Sequence, residues 1–121
     1  MRRLDFDKVL LEAVDHALLT FGESPRQAIY YHLNKSFKLQ KKEIPEDANE
    51  FSNALNTIFG PGAEVIEKII VKNLYNKLNL NFEEKDRFEF VDYIGLAREI
   101  ARREQQRLKV RKRDRRDEKS T

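Results

Sequence analysis

The chain has 121 residues, of which 40% are hydrophobic and 37% are charged, and its formal net charge is +3. This length fits one domain. The absence of cysteine excludes a disulfide scaffold, a thiol nucleophile and cysteine-based zinc or iron–sulfur sites. No apolar run is long enough for a transmembrane helix, and the start of the chain becomes acidic too early for a signal peptide. We therefore expect a cytoplasmic protein.

The first two predicted elements are helices. Apolar residues spaced three and four apart over residues 6–21 are typical of an amphipathic helix. Asp5 is placed to cap its start, and Gly22 is placed to end it. The Ser-Pro-x-Gln pattern that begins at Ser24 predicts a second helix with that serine as its cap, running to about Leu39.

A third and a fourth helix flank the clearest turn in the sequence. The Asp-Ala-Asn-Glu pattern at residues 47–50 resembles a capping box and predicts a short helix that ends near Phe59. Residues 60–62 are Gly-Pro-Gly, which cannot continue a helix. A further apolar stripe predicts a helix over roughly residues 63–78.

The segment after this helix is ambiguous. Leu80 and Phe82 fit a short strand or hairpin, but we favour the alternative, a loop that packs against the core. Another capping-box pattern at residues 86–89 predicts a last helix with its apolar face starting at Phe90. The fold class we predict is all-α: a compact bundle of about five helices with a long basic C-terminal helix or tail.

Charge divides the chain into two parts. Residues 1–97 contain 13 Lys/Arg and 16 Asp/Glu, a net charge of −3, whereas residues 98–121 contain 11 Lys/Arg and 5 Asp/Glu, a net charge of +6. We predict a helical core domain over residues 1–97 and a basic helical extension over residues 98–121, helical to about Arg111 and frayed beyond Asp114.

The basic extension carries the candidate binding residues. One stripe of a continuous helix, spaced alternately by four and three, holds Arg98, Arg102, Gln105, Lys109, Lys112 and Arg116. Such a stripe can neutralise phosphates along a nucleic acid, so the predicted nucleic-acid-binding residues are Arg98, Arg102, Lys109, Lys112, Arg113 and Arg116. A solvated helix end and a contact for an acidic protein are the alternatives. The extension has no aromatic residue, so base stacking on it is not expected.

The sequence offers little sign of catalysis. There is no glycine-rich phosphate loop. His16 and His32 fall on different predicted helices without a second histidine one turn away, so neither indicates a metal site. Carboxylate pairs such as Glu83-Glu84 lie in predicted loops or helix starts, where solvent and the helix dipole favour acids. We predict no catalytic residue, no metal, no cofactor and no small-molecule substrate, and hence a protein that is not an enzyme.

Four segments together resemble a known family. They are Gly22-Glu23-Ser24-Pro25-Arg26-Gln27-Ala28-Ile29-Tyr30-Tyr31-His32-Leu33, Glu43-Ile44-Pro45, Phe59-Gly60-Pro61-Gly62-Ala63 and Phe90-Val91-Asp92-Tyr93. In order and spacing they resemble small archaeal helical domains of the Nitrososphaera-output-domain type over roughly residues 9–97. The resemblance implies a domain found alone or attached to archaeal sensory and regulatory proteins, with no established catalysis, cofactor or ligand. It implies no functional residue and does not include the basic extension.

These observations lead to two functional hypotheses. The first is a non-catalytic interaction module whose basic extension binds nucleic acid through phosphate contacts. The second is a signalling output or protein-binding domain with no nucleic-acid role, and one version of it is a homodimer. It is motivated by four tyrosines that exceed the needs of a small core: Tyr30, Tyr31, Tyr75 and Tyr93. Neither hypothesis includes a membrane partner.

Overall fold

The computed structural model describes residues 5–120, with the side chains of residues 5–108. Its helices are α1 (Phe6–Leu19), α2 (Glu23–Phe37), α3 (Ala48–Phe59), α4 (Ala63–Lys77) and α5 (Phe90–Ser120). Short 3-10 turns occupy Lys41–Glu43 and Gly60–Gly62, and no strand occurs among the described residues. The predicted all-α class is confirmed.

The core lies between α1 and α4, which make the most extensive helix–helix contact. Helix α2 packs on α1, while α3 and α5 pack on α4. One continuous cluster includes the fully buried side chains Leu10, Val14, Leu18, Leu33, Phe51, Leu55, Ile70 and Leu74. Ala101 is the last buried residue among the described side chains. The core therefore continues one turn into the segment that the charge pattern assigns to the basic extension.

The start of α1 follows the sequence prediction, whereas the start of α2 does not. The Asp5 side chain accepts a hydrogen bond from the backbone N–H of Lys8 at 3.2 Å, as expected of a cap. Gly22, predicted to end α1, is instead the residue that precedes α2, with φ of 111°. Because this positive φ lets the chain reverse sharply, α2 begins at Glu23 and Ser24 lies inside the helix rather than at its cap.

The predicted capping boxes before α3 and α5 are also wrong in detail. Asp47 does precede α3, but its side chain makes no capping hydrogen bond. Asp86 is too early in the chain to cap α5, which begins at Phe90. Instead, a side chain inside the helix caps the residue before it: the Asp92 carboxylate accepts a hydrogen bond from the backbone N–H of Glu89 at 2.8 Å.

The connection between α4 and α5 is a loop, as the favoured interpretation of Leu80 and Phe82 predicted. Phe82 packs with its ring centroid 5.7 Å from that of Tyr75 and 5.4 Å from that of Tyr93. The Tyr75 hydroxyl donates to the Tyr93 carbonyl at 2.7 Å, and the backbone N–H of Lys85 donates to the Tyr93 hydroxyl at 2.9 Å. These aromatic contacts hold the loop against the core without strand pairing.

Gly95 provides a test of the helical conformation of α5. It lies inside the helix, its φ is not positive, and a Cβ added there would meet no atom within 4 Å. Gly95→Ala should therefore raise the free energy of unfolding by about 0.5–1 kcal/mol, because alanine loses less backbone entropy in a helix. Urea unfolding measures the change.

The matched control is Gly60→Ala. Gly60 also has open space around it, but its φ is +57°, which a side chain disfavours. This variant should lower the free energy of unfolding by about 1 kcal/mol. Equal effects of the two substitutions would contradict the assigned backbone conformations.

Candidate functional site

Arg98, the first cation of the basic extension, is held within the fold. Its guanidinium donates to the Asp7 carboxylate at 2.8 Å and to the Pro45 carbonyl at 2.9 Å. The same group lies 4.7 Å from the centroid of the Phe6 ring, a cation–π contact. Arg98 thus ties α5 to the start of α1 and to the loop before α3, which sets it apart from Arg102, whose ion pair lies within α5.

Three arginines follow with most of each side chain exposed: Arg102, Arg103 and Arg107. Among the described residues, their ion-pair partners are glutamates of the same helix, Glu99 and Glu104. The hydrogen bond from Arg102, with a second from Arg103, lowers the pKa of Glu99 to about 2. Exposed ion pairs one helical turn apart add little to stability, so a phosphate could replace the glutamate at little cost.

The remaining predicted binding residues are in the last part of α5. The side chains of Lys109, Lys112, Arg113 and Arg116 lie outside the described residues. Their assignment as phosphate contacts stays a prediction.

The structure also contains a groove that the sequence did not indicate. It has a volume of about 710 Å³ and lies between α3, α4, the loop before α5 and the first turn of α5. We call it the acidic groove because four carboxylates line it: Glu64, Glu67, Glu84 and Glu89. Its other lining residues include the α3 amides Asn49, Asn53 and Asn56 and the aromatic residues Phe82, Phe88, Phe90 and Tyr93.

Glu67 is the most unusual residue of the acidic groove, because it is a glutamate only 9% exposed. Burial raises its pKa above the ordinary range for glutamate, and repulsion from Glu64 and Glu89 adds to the shift. A hydrogen bond from the Ser52 hydroxyl to Oε2, at 2.5 Å, opposes the shift. Lys68, which also lines the groove, pairs with Glu84 instead.

Besides Tyr93, the ionisable side chains of the groove are its carboxylates and Lys68. A carboxyl such as Glu67 can donate a proton, and the Ser52 hydroxyl lies against it. Neither histidine lines the groove. His32 instead contacts the Ser36 hydroxyl at 3.3 Å and packs edge-on against Phe37.

The tyrosines are mostly used within the fold. Tyr75 and Tyr93 hold the loop before α5, as described above, and the Tyr30 hydroxyl donates to Asp15 at 2.5 Å. Burial, together with this hydrogen bond, raises the pKa of Tyr30. Tyr31 is exposed. Of the four tyrosines that motivated the homodimer hypothesis, Tyr31 is therefore the one whose side chain is largely exposed.

The described residues contain no group of acids and histidines that could hold a metal ion. No helix within that part of the chain is long and apolar enough to cross a membrane. The cytoplasmic location stays a prediction.

Comparison with known proteins finds no match: no family model, no curated protein and no solved structure is similar to the chain. Any proposal on function therefore depends on the residues of this chain alone.

The variant Arg98→Ala tests whether the Arg98 side chain stabilises the fold. Loss of its bonds to Asp7 and Pro45 should lower the free energy of unfolding by about 1 kcal/mol, a value reduced because the ion pair is partly exposed. Arg102→Ala is the matched control, and it should change stability much less, because its ion pair is exposed to solvent. Denaturant titrations measure both. A larger loss in Arg102→Ala than in Arg98→Ala would contradict the anchoring role.

Glu67→Gln should stabilise the protein more at neutral than at acidic pH. Because the pKa of Glu67 is raised in the fold, wild-type stability falls as the pH rises from the ordinary glutamate value through the raised value. Glutamine has nearly the same shape as glutamate and does not ionise, so the variant should not lose stability over this pH range. Urea unfolding at about pH 4 and about pH 7 measures the difference.

Ser52→Ala is the control for this experiment. It keeps the carboxyl but removes the hydrogen bond that favours its ionised form, so the pKa of Glu67 should rise further. The pH dependence should persist in Ser52→Ala and be reduced in Glu67→Gln. A pH dependence unchanged in Glu67→Gln would show that another group causes it.

Proposed function

We propose that this protein is a non-catalytic interaction module whose basic extension binds nucleic acid through its phosphates. The observation that carries the proposal is the charge division, −3 over residues 1–97 and +6 over residues 98–121. The bounds of α5 support it, since the helix runs to Ser120, well past Ala101, the last buried residue among the described side chains. A basic helix that extends beyond the core can lie along a phosphate backbone without rearrangement of the body.

The kind of cation also supports the proposal. Eight of the eleven Lys/Arg in residues 98–121 are arginines, whose planar guanidinium can form two hydrogen bonds with one phosphate. The absence of aromatic residues in this segment favours backbone contacts over base stacking. We therefore expect binding that depends strongly on salt and weakly on sequence.

A second candidate function is protein binding through the helical body. It is favoured by two apolar side chains exposed at the acidic groove, Val65 and Phe88. A signalling output role, which the resemblance to archaeal output domains implies, would use such a surface. Membership of that family stays a prediction.

Fluorescence anisotropy of short duplex DNA and RNA tests the first function. The full chain should bind both, and its affinity should fall about tenfold or more between roughly 50 and 200 mM salt. The variant Arg107→Gln/Lys109→Gln/Lys112→Gln should bind more weakly and reduce the salt dependence by roughly one unit of slope per cation removed.

The matched control removes three cations from the body instead, in the variant Lys38→Gln/Lys42→Gln/Lys77→Gln. This variant has the same net charge as the first and should bind nearly as well as the wild type. Equal losses in the two variants would show that total charge, and not the basic extension, causes binding. Failure of the wild type to bind at near-physiological salt would overturn the proposed function.

A further inference from the structure

The acidic groove has negative charge that the described residues balance only in part. Lys68 pairs with Glu84 and also attracts the Glu64 carboxylate. No lysine or arginine among the described residues forms an ion pair with Glu64, Glu67 or Glu89. Glu64 and Glu89 both repel the carboxylate of Glu67. A guanidinium or ammonium group placed among these three carboxylates would relieve this repulsion, because opposite charges at a few ångströms attract strongly where water is partly excluded.

The groove and the basic extension both expose an apolar side chain next to a charge. Val65 is 61% exposed and follows Glu64, while Phe88 is 36% exposed and precedes Glu89. On the extension, Leu108 is 41% exposed and follows Arg107. Single exposed apolar residues are common, but here each lies beside a charge opposite in sign to that of the other surface.

The basic extension cannot reach the groove of its own chain while α5 is continuous. The first turn of α5 lines the groove through Phe90, Val91 and Tyr93. Leu108 follows Phe90 by five helical turns, which places it about 27 Å farther along the axis. Arg98 also fixes the direction of the helix through its bonds to Asp7 and Pro45. An extension that occupies the groove therefore comes from another molecule.

We propose that the acidic groove binds the basic extension of a second copy of this chain. In a two-fold arrangement each copy both supplies an extension and offers a groove, so two identical contacts form and the assembly closes as a dimer. The mode of binding is a helix laid in a groove: Leu108 meets the apolar rim and the arginines meet the carboxylates. This inference concerns the same cations as the proposed function but does not depend on nucleic-acid binding.

The dimer can be tested by reversing the charge of each surface in separate variants, with the full chain and without nucleic acid. One variant reverses the groove, Glu64→Lys/Glu89→Lys, and another reverses the extension, Arg103→Glu/Arg107→Glu. Sedimentation velocity should show that the wild type dimerises at about 50 mM salt and that dimerisation is about tenfold weaker at roughly 500 mM salt. Each variant alone should be monomeric. An equimolar mixture should form a heterodimer, since both of its contacts then join opposite charges.

The control variant Glu12→Lys/Glu46→Lys makes the same charge change at two exposed residues outside the groove. It should dimerise as the wild type does, and circular dichroism should show native helix content in all variants. A monomeric wild type at high micromolar concentration, a groove variant that still dimerises, or a mixture that stays monomeric would each overturn the proposal. A monomeric wild type that binds a labelled arginine-rich peptide would assign the groove to a different partner.

Discussion

The packing of the first three turns of α5 on α3 and α4 is the constraint on which the rest of the molecule depends. Phe90, Ile94 and Ala97 are buried there, and the Phe90 ring centroid lies 6.0 Å from that of Phe51 in α3. This contact closes the core. Because one helix carries both the last core residues and the cations that follow, the same contact forms one wall of the acidic groove and sets the direction in which the basic extension leaves the body.

Two polar clusters hold the helices in this arrangement. Asp15 accepts hydrogen bonds from Tyr30 and from Lys41, which joins α1 to α2 and to the 3-10 turn. Burial opposes the ionisation of Asp15, but the bonds from Lys41 and Tyr30 outweigh it and lower the pKa of Asp15. Arg98 joins α5 to α1 in the same manner. Such partly exposed pairs each contribute modestly to stability, so their main effect is to select one packing of the apolar surfaces.

The two proposals assign the same cations of the basic extension to two different kinds of anion. Phosphates of a nucleic acid and carboxylates of the acidic groove would compete for the arginines of the basic extension. A dimer in which the extensions are docked would then release them when nucleic acid is present, and a lower salt concentration would strengthen both interactions. The relative affinity of the extension for phosphate and for carboxylate would decide which state predominates.

The sequence by itself determined the all-α class, the approximate positions of the helices, the cap at Asp5 and the turn at residues 60–62, because these depend on neighbours within one or two helical turns. It did not determine the start of α2, where the positive φ of Gly22 overrides the cap expected at Ser24. Only the tertiary structure decided the sites. Arg98 resembles the other cations of its stripe until the fold supplies Asp7 and Pro45 as partners. The acidic groove combines residues from four segments, and no spacing within one segment can indicate that burial will raise the pKa of one glutamate among many.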